Sequence, residues 1–341
     1  MITRVPGTHG PEVSAIGLGC SGMSGAYGPA DEAESIATIH AALDSGITLF
    51  DTADFYGMGH NEMLLREALR GWAREQVVIS VKFGGLRDPD GGWSGNDGRP
   101  ASVKNFLAYT LRRLGTDYVD IYRPARLDPN VPIEDTIGAI ADMVKAGHVR
   151  SIGLSEVGPD TIRHAQAVHP ISDLQIEYSL LSRDIEAAIL PTCRELGIGI
   201  TAYGVLARGL LSDHWSKNAP GDFRNFSPRF SGDNLDHNLA LVEALRSLAE
   251  AKDATVSQIA IAWVLTRGQD IVPLVGARRR DRLSESLQAL DLRLTADDLA
   301  RIEQAIPAGA AAGERYPASM MAQLDSEREF WISRPSSDEL R

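Results

Sequence analysis

The sequence predicts a (β/α)8 TIM barrel, a closed ring of eight parallel strands wrapped by helices. Three observations carry that reading: short apolar runs alternate with amphipathic stretches at a steady interval, there are eight such pairs, and each strand-like run is hydrophobic almost throughout. A parallel sheet covered on both faces needs strands of that kind, and eight is the number that closes a barrel. With 341 residues, 43% of them hydrophobic, the chain is long enough to bury one barrel-sized core, expected to span residues 1–341.

Before the first barrel strand, two short extended stretches flank Pro6-Gly7-Thr-His-Gly10-Pro11, which predicts a hairpin over residues 1–14 that caps the barrel's bottom. The strands are expected at 15–19, 47–51, 77–82, 118–123, 149–154, 173–177, 198–203 and 271–275. Helices are expected near 32–45, 60–70, 102–114, 133–146, 159–168, 184–196, 236–266 and 279–290. Ser45-Gly46, Ala146-Gly147 and Leu196-Gly197 end helices where glycine supplies a left-handed residue. An open doubly wound sheet competes through Gly17-Leu-Gly19-Cys-Ser-Gly22, but no helix of suitable pattern starts there. Residues 84–100 and 208–234 are too long for plain connections; the second carries Trp215, Phe223, Phe226 and Phe230, which favours a lid at the catalytic face. A C-terminal extension over 307–341 opens with an alanine- and glycine-rich stretch, and its last ten or so residues are expected to be loosely ordered.

Thirty-four basic against 46 acidic residues leave a net charge of −12, which speaks against nucleic acid or an anionic membrane as partner. One basic patch stands out, Arg278-Arg279-Arg280. Two cysteines, Cys20 and Cys193, cannot build a disulfide framework. No run approaches the roughly 20 apolar residues of a membrane span, and no signal peptide is read at the N-terminus. A cytoplasmic location is therefore expected, with no metal and a small-molecule partner.

The chemistry concentrates in Asp51-Thr-Ala-Asp-Phe-Tyr-Gly57 and in Lys82, which closes the third predicted strand. Adjacent parallel strands bring their C-terminal residues side by side, so Asp51, Tyr56 and Lys82 are expected to converge above the barrel axis. A phenol titrates near pH ~10, and a lysine cation held by a carboxylate would make it a readier proton donor.

These segments, with Asn61-Glu62, Lys82-Phe-Gly84, the run from Leu111 to Tyr122, Gly153-Leu-Ser155, Gln175-Ile-Glu-Tyr-Ser179 and Pro273-Leu-Val-Gly276, resemble the aldo-keto reductases in consecutive order along nearly the whole chain. The resemblance implies a barrel that uses NADPH to reduce an aldehyde or ketone by hydride transfer. It makes Asp51, Tyr56 and Lys82 three members of a catalytic tetrad, with Tyr56 the acid. Ser155 and Gln175 match the positions that hold the nicotinamide carboxamide, and Tyr203 matches the aromatic that stacks on the nicotinamide ring. The pyrophosphate is expected along 203–211, including Gly204, Leu206 and Arg208, where glycines allow close approach. The far end of the cofactor falls to Gly276, Arg278, Arg282, Glu285 and Ser286, at a helix N-terminus suited to phosphate. Arg278 and Arg282, four apart, are expected to share a helix face and fork onto a 2′-phosphate.

The chain departs from the family at Ala125, where the tetrad histidine would stand. Ala125-Arg126-Leu-Asp128-Pro129 looks like a smaller branch that includes pyridoxal reductases. Arg123 points to the same side as Ala125, two residues deeper, and is expected to pair with Asp51, or with the substrate's oxygen through water, and partly replace the imidazole; the alternative is that the strand breaks at Pro124 and Arg123 or Arg126 salt-bridges at the barrel rim. Phe55, Phe83, Trp93, Arg123 and Arg126 are the candidate substrate contacts, with Trp215 and Phe226 as further pocket aromatics. The alternative to a reductase is an NADPH-binding sensor or regulatory subunit of low turnover, which would need no Asp51, Tyr56 or Lys82.

Overall fold

The computed structural model describes residues 1–212, 214 and 222–328. A two-stranded hairpin, β1 (Thr3–Arg4) against β2 (Val13–Ser14), precedes the barrel. The first three barrel strands are β3 (Gly17–Gly19), β4 (Leu49–Ala53) and β5 (Val78–Phe83). An antiparallel pair, β6 (Gly85–Arg87) and β7 (Trp93–Asn96), then rises from the end of β5. The remaining barrel strands are β8 (Val119–Pro124), β9 (Val149–Ser155), β10 (Ile171–Glu177), β11 (Gly199–Tyr203) and β12 (Ile271–Gly276), and β12 pairs back onto β3 to close the ring. Each of the eight predicted strands has its counterpart. The long segment after β5, read as too long for a plain connection, is largely this hairpin.

The helices are α1 (Glu32–Asp44), α2 (His60–Ala68), α3 (Pro100–Leu114), α4 (Ile133–Lys145), α5 (Pro159–Val168), α6 (Ile189–Glu195), α7 (Gly232–Ala251), α8 (Val256–Thr266), α9 (Arg280–Leu287), α10 (Ala296–Ala305) and the single turn α11 (Ala318–Met321). Asp31 starts α1 by accepting from the Glu34 amide at 2.8 Å, and Gly46, at φ 84°, turns the chain into β4. The helix expected over 236–266 is two. Asp253 breaks it at φ 49°, and Thr255 with Gln258 forms a capping box that starts α8 afresh. Helix α10 was not anticipated, although Thr295 and Asp298 close the same kind of box there.

Inside the barrel the side chains stack in layers. At the bottom, Leu49, Val272 and Leu274 form an apolar layer sealed from below by Val13 of the hairpin. Arg4 fastens that cap by donating to the carbonyls of Ile271 and Gly268 at 2.6 and 2.7 Å. Above lies a polar layer of Ser80, Arg123, Asp173 and Thr201, with room left by Gly153, where an added Cβ would lie 3.0 Å from the Arg123 guanidinium carbon. Asp51, Lys82 and Gln175 form the next layer up: Asp51 from the middle of β4, Lys82 and Gln175 from nearer the C-terminal ends of β5 and β10.

Candidate active site

Asp51 lies in the middle of β4, beside Ser80, while Lys82 is the penultimate residue of β5 beside Ala53. The lysine reaches back along its strand. Its ammonium donates to Asp51 Oδ2 at 2.5 Å and to the Thr52 carbonyl at 3.1 Å, and both side chains are almost wholly buried. Burial lowers the Lys82 pKa, and the attraction of Asp51 offsets only part of that. Tyr56 follows β4 in a tight turn made by Gly57, Met58 and Gly59, all with positive φ. The Lys82 ammonium stands over the Tyr56 ring, 4.9 Å from its centre. Burial, with Asp51 and the nearby Tyr27 and Tyr316 adding repulsion, raises the Tyr56 hydroxyl well above a phenol's ordinary range. Desolvation thus sets the direction, and the Tyr56 hydroxyl is protonated at neutral pH.

Arg123 enters the barrel, as its strand parity requires, and is fully buried. It does not pair with Asp51. Its guanidinium lies 3.0 Å from Asp173 on β10 and donates to Ser80 Oγ at 3.1 Å, and Ser80 in turn donates to Asp51 at 2.9 Å. The expected pairing of Arg123 with Asp51 therefore fails on geometry: the carboxylate at its own level is Asp173, and Asp51 is reached only through a hydroxyl. Ala125 is buried above it, its amide bound to the Phe83 carbonyl. Arg126 stays near the mouth, and its one hydrogen bond goes to the Ala125 carbonyl at 2.6 Å. Burial opposes its charge, but the fields of Tyr316, Tyr203 and Glu156 raise its pKa overall.

Of the aromatic candidates, Phe55 meets Tyr56 and Trp93 edge-on at 5.2 and 5.3 Å, so the β6–β7 hairpin brings Trp93 against the tyrosine's neighbour. Trp93 remains 40% exposed at the rim. Phe83 is a correction: it is fully buried, stacked on Tyr122 at 4.2 Å under α3, and belongs to the core between barrel and helices. Phe226 projects outward, 75% exposed, and Trp215 lies outside the described residues.

On the opposite side of the mouth, Ser155 ends β9 and Gln175 sits on β10 beside it. Gln175 donates to Asp51 at 2.7 Å, whereas the Ser155 hydroxyl is buried without any partner. Tyr203 closes β11, its hydroxyl donating to Glu156 at 2.6 Å and touching the Tyr316 hydroxyl at 2.9 Å. Glu156, Arg315 and Tyr316 were not foreseen. The one sequence signal was an arginine and a tyrosine held between Gly313 and Pro317 in an otherwise small-residue stretch.

Gly204 turns the chain after β11 at φ 66°, and a side chain there would press on Glu177. Leu206 is half-buried, and Arg208 pairs with Glu177 at 3.0 Å while lying 4.0 Å above the Tyr316 ring. Gly276 faces open space. Beyond it, an open groove of about 810 Å³ is lined by Pro29, Ala30, Asp31, Glu34 and residues 278–281. Arg278 and Arg282 do not share a helix face, because α9 begins only at Arg280. Arg278 lies in the preceding turn and donates to the carbonyls of Tyr27, Gly28 and Pro29, which ties the β3–α1 loop to the groove. Arg282 and Glu285 both contact His214, and the Ser286 hydroxyl turns back to the Arg282 carbonyl at 2.9 Å.

A closed parallel barrel with a buried lysine–aspartate pair beside a tyrosine defines a class of oxidoreductase, and the comparisons agree. Residues 15–307 match the Aldo/keto reductase family. The chain is 44% identical over 317 residues to a protein described as probable aldo-keto reductase 1 from Glycine max, covering 91% of this chain and 90% of that one. Among solved structures it resembles a glycerol dehydrogenase from Gluconobacter oxydans, with TM-score 0.80, 29% identity, and 89% and 94% of the two chains covered. It also resembles an aldo-keto reductase from Bacillus halodurans in its holo form, with TM-score 0.76, 29% identity, and 91% and 97% covered. The chain belongs to the aldo/keto reductase family.

Proposed function

We propose that this chain is an NADPH-dependent carbonyl reductase acting on an aldehyde or ketone, with Tyr56 as the proton donor, and that it falls in the branch lacking the tetrad histidine. The observation that carries the reading is the buried Lys82–Asp51 pair beneath the Tyr56 ring, a costly arrangement that barrel packing alone does not require. The cofactor fits the residues present. The buried Ser155 hydroxyl, without a partner among the described residues, is a ready hydrogen-bonding group for a carboxamide, the Tyr203 hydroxyl is bound to the adjacent Glu156, and the groove at residues 278–281 offers cations to a phosphate. When bound, the nicotinamide supplies the hydride.

The protein's own part is positioning and one proton. Tyr56, kept protonated by burial, donates from its hydroxyl to the carbonyl oxygen as negative charge develops there. Lys82, fixed by Asp51, places its positive charge against the tyrosine so that the phenolate left behind is stabilised. Asp51 is held in turn by Ser80 and Gln175. Arg126 supplies the field nearest the position left short by Ala125, and it favours an ionised Tyr56.

The test is NADPH oxidation against a panel of aldehydes and ketones, with Tyr56→Phe as control. Wild type turns over at least one carbonyl, and the variant binds NADPH within a few fold while losing about 10²- to 10⁴-fold in turnover. Substantial turnover by the variant would remove Tyr56 from the role. Tight cofactor binding without turnover on any carbonyl would make the chain a cofactor sensor instead.

A further inference from the structure

The mouth of the barrel holds a second charged cluster that the reaction as described leaves unused. Glu156 follows Ser155 directly and adopts φ 55°, a left-handed backbone that a residue with a side chain adopts at a cost of order 1 kcal/mol. It is held there from every side. Its amide donates to the Gln175 carbonyl at 3.1 Å, its carbonyl accepts from the Ser326 amide at 3.2 Å, and its carboxylate receives Arg315, Ser326 and the Tyr203 hydroxyl. Burial would push this carboxyl up; the Arg315 fork overrides it and holds Glu156 down at about 2.

Arg315 comes from the segment after the barrel, and that segment is docked. The buried Asn238 on α7 brackets Ala312 by accepting from its amide and donating to its carbonyl at 2.8 and 2.9 Å. Asp325 caps the start of α5 by accepting from the Gly158 amide at 2.9 Å. Between those anchors Arg315 is buried, donating to Glu156 and Glu327 while standing 3.4 Å from Glu177. Its neighbour Tyr316 places a hydroxyl 2.9 Å from that of Tyr203.

We propose that Arg315 is a positioning residue of the hydride-transfer centre: by gripping Glu156 it fixes both the Ser155 hydroxyl on one side and the Tyr203 ring on the other. The proposal rests on reading Ser155 and Tyr203 as the nicotinamide seat. Ser155 is one peptide away from the gripped residue, and its buried hydroxyl has no protein partner, so its direction is set by the backbone that Glu156 and Ser326 lock. Tyr203 is tied to the same carboxylate through its own hydroxyl. The segment therefore acts from behind the site rather than by touching substrate.

The experiment compares Arg315→Lys with the charge-neutral pair Arg315→Met/Glu156→Gln and with Tyr203→Ala. Lysine keeps a cation among the buried carboxylates, so the fold survives, but it cannot grip both Glu156 oxygens as the planar fork does. For each variant that keeps a cooperative thermal transition, NADPH affinity, kcat and the primary isotope effect with deuterated NADPH are measured. Arg315→Lys and the neutral pair are expected to weaken NADPH at least tenfold, lower kcat tenfold and enlarge the isotope effect as hydride transfer becomes limiting. Wild-type affinity, kcat and isotope effect in Arg315→Lys would overturn the proposal, and a reduced thermal midpoint with unchanged kinetics would do the same by making the role purely structural. Tyr203→Ala separates the two layers of the argument. If it binds NADPH like wild type, the seat itself is misassigned; if it weakens NADPH while both Arg315 variants do not, only the Arg315 proposal falls.

Discussion

Two networks of buried charge lie within the same barrel, and they are built differently. Beneath the mouth, Lys82, Asp51, Ser80, Arg123, Asp173 and Thr201 form a continuous ladder whose members all sit on barrel strands. At the mouth, Glu156 and Glu177 meet Arg208, Arg229 and Arg315, cations brought by loops and by the segment after the barrel. The ladder is fixed by strand register, so its geometry is as rigid as the sheet. The mouth network depends on a segment that must dock. On the function proposed above, chemistry that cannot tolerate misplacement would sit on the first network, and the seat for an exchangeable molecule would rest on the second.

The largest expected effect tests the ladder's dependence on pairing. Arg123→Met leaves Asp173 buried without its cation, and chemical denaturation should record a loss of about 3–5 kcal/mol, most of it recovered by Arg123→Met/Asp173→Leu. A loss below 1 kcal/mol would mean that the interior is wet enough to hold a lone carboxylate, and the contrast with the mouth would collapse.

Asp54 sharpens the comparison because it is buried beside the ladder but has no ion pair of its own. Burial, with repulsion from Glu62, pushes its carboxyl up to about 7, the opposite of what Arg315 does for Glu156. An acid raised on folding costs nothing below its unfolded pKa near ~4, costs progressively more as pH rises from there, and costs most above about 7. Asp54→Asn should therefore stabilise the protein by up to about 4 kcal/mol at pH 8, by less at pH 5 and not at all at pH 3.5. A gain that does not vary with pH would show that Asp54 is not the titrating group. Glu156 has the reverse sign: its contribution is present above an ordinary carboxylate pKa and is lost as pH falls toward about 2.

The smallest effect lies away from both networks. Arg282 lies on α9, just past the residues that line the groove, and is partly exposed. NADPH is expected to bind at least tenfold tighter than NADH, about 1.4 kcal/mol, and Arg282→Ala should remove most of that difference without altering kcat. Equal affinities in the wild type would sink the assignment of Arg278 and Arg282 to a 2′-phosphate.

Half of the ladder was named from the sequence, Asp51, Lys82 and Arg123; Ser80, Asp173 and Thr201 were not. Period-two alternation places Asp51, Ser80, Lys82, Arg123, Asp173 and Gln175 inward, and strand order around the ring brings them together. What alternation cannot give is the level at which a long side chain finds its partner, and so Arg123 was matched to Asp51 when Asp173 was at hand. Phe83 was misread for a related reason: it lies one residue past Lys82 on β5, so its side chain faces the helices. The mouth network was illegible because nothing local in Glu-Arg-Tyr-Pro announces that its arginine will sit between Glu156, just past the end of β9, and Glu177, the last residue of β10.

The separation between Glu156 and Arg315, 159 residues, also has a meaning in time. At synthesis rates of about 5–20 residues per second, the glutamate exists for roughly 8–30 s before its counterion has been made. Throughout that interval a nascent chain carries Glu156 without the grip that holds it, whereas Arg123 and Asp173 are made only 50 residues apart. The barrel closes on β3 once β12, residues 271–276, has been made, so the counterion of Glu156 is synthesised after every strand of the ring.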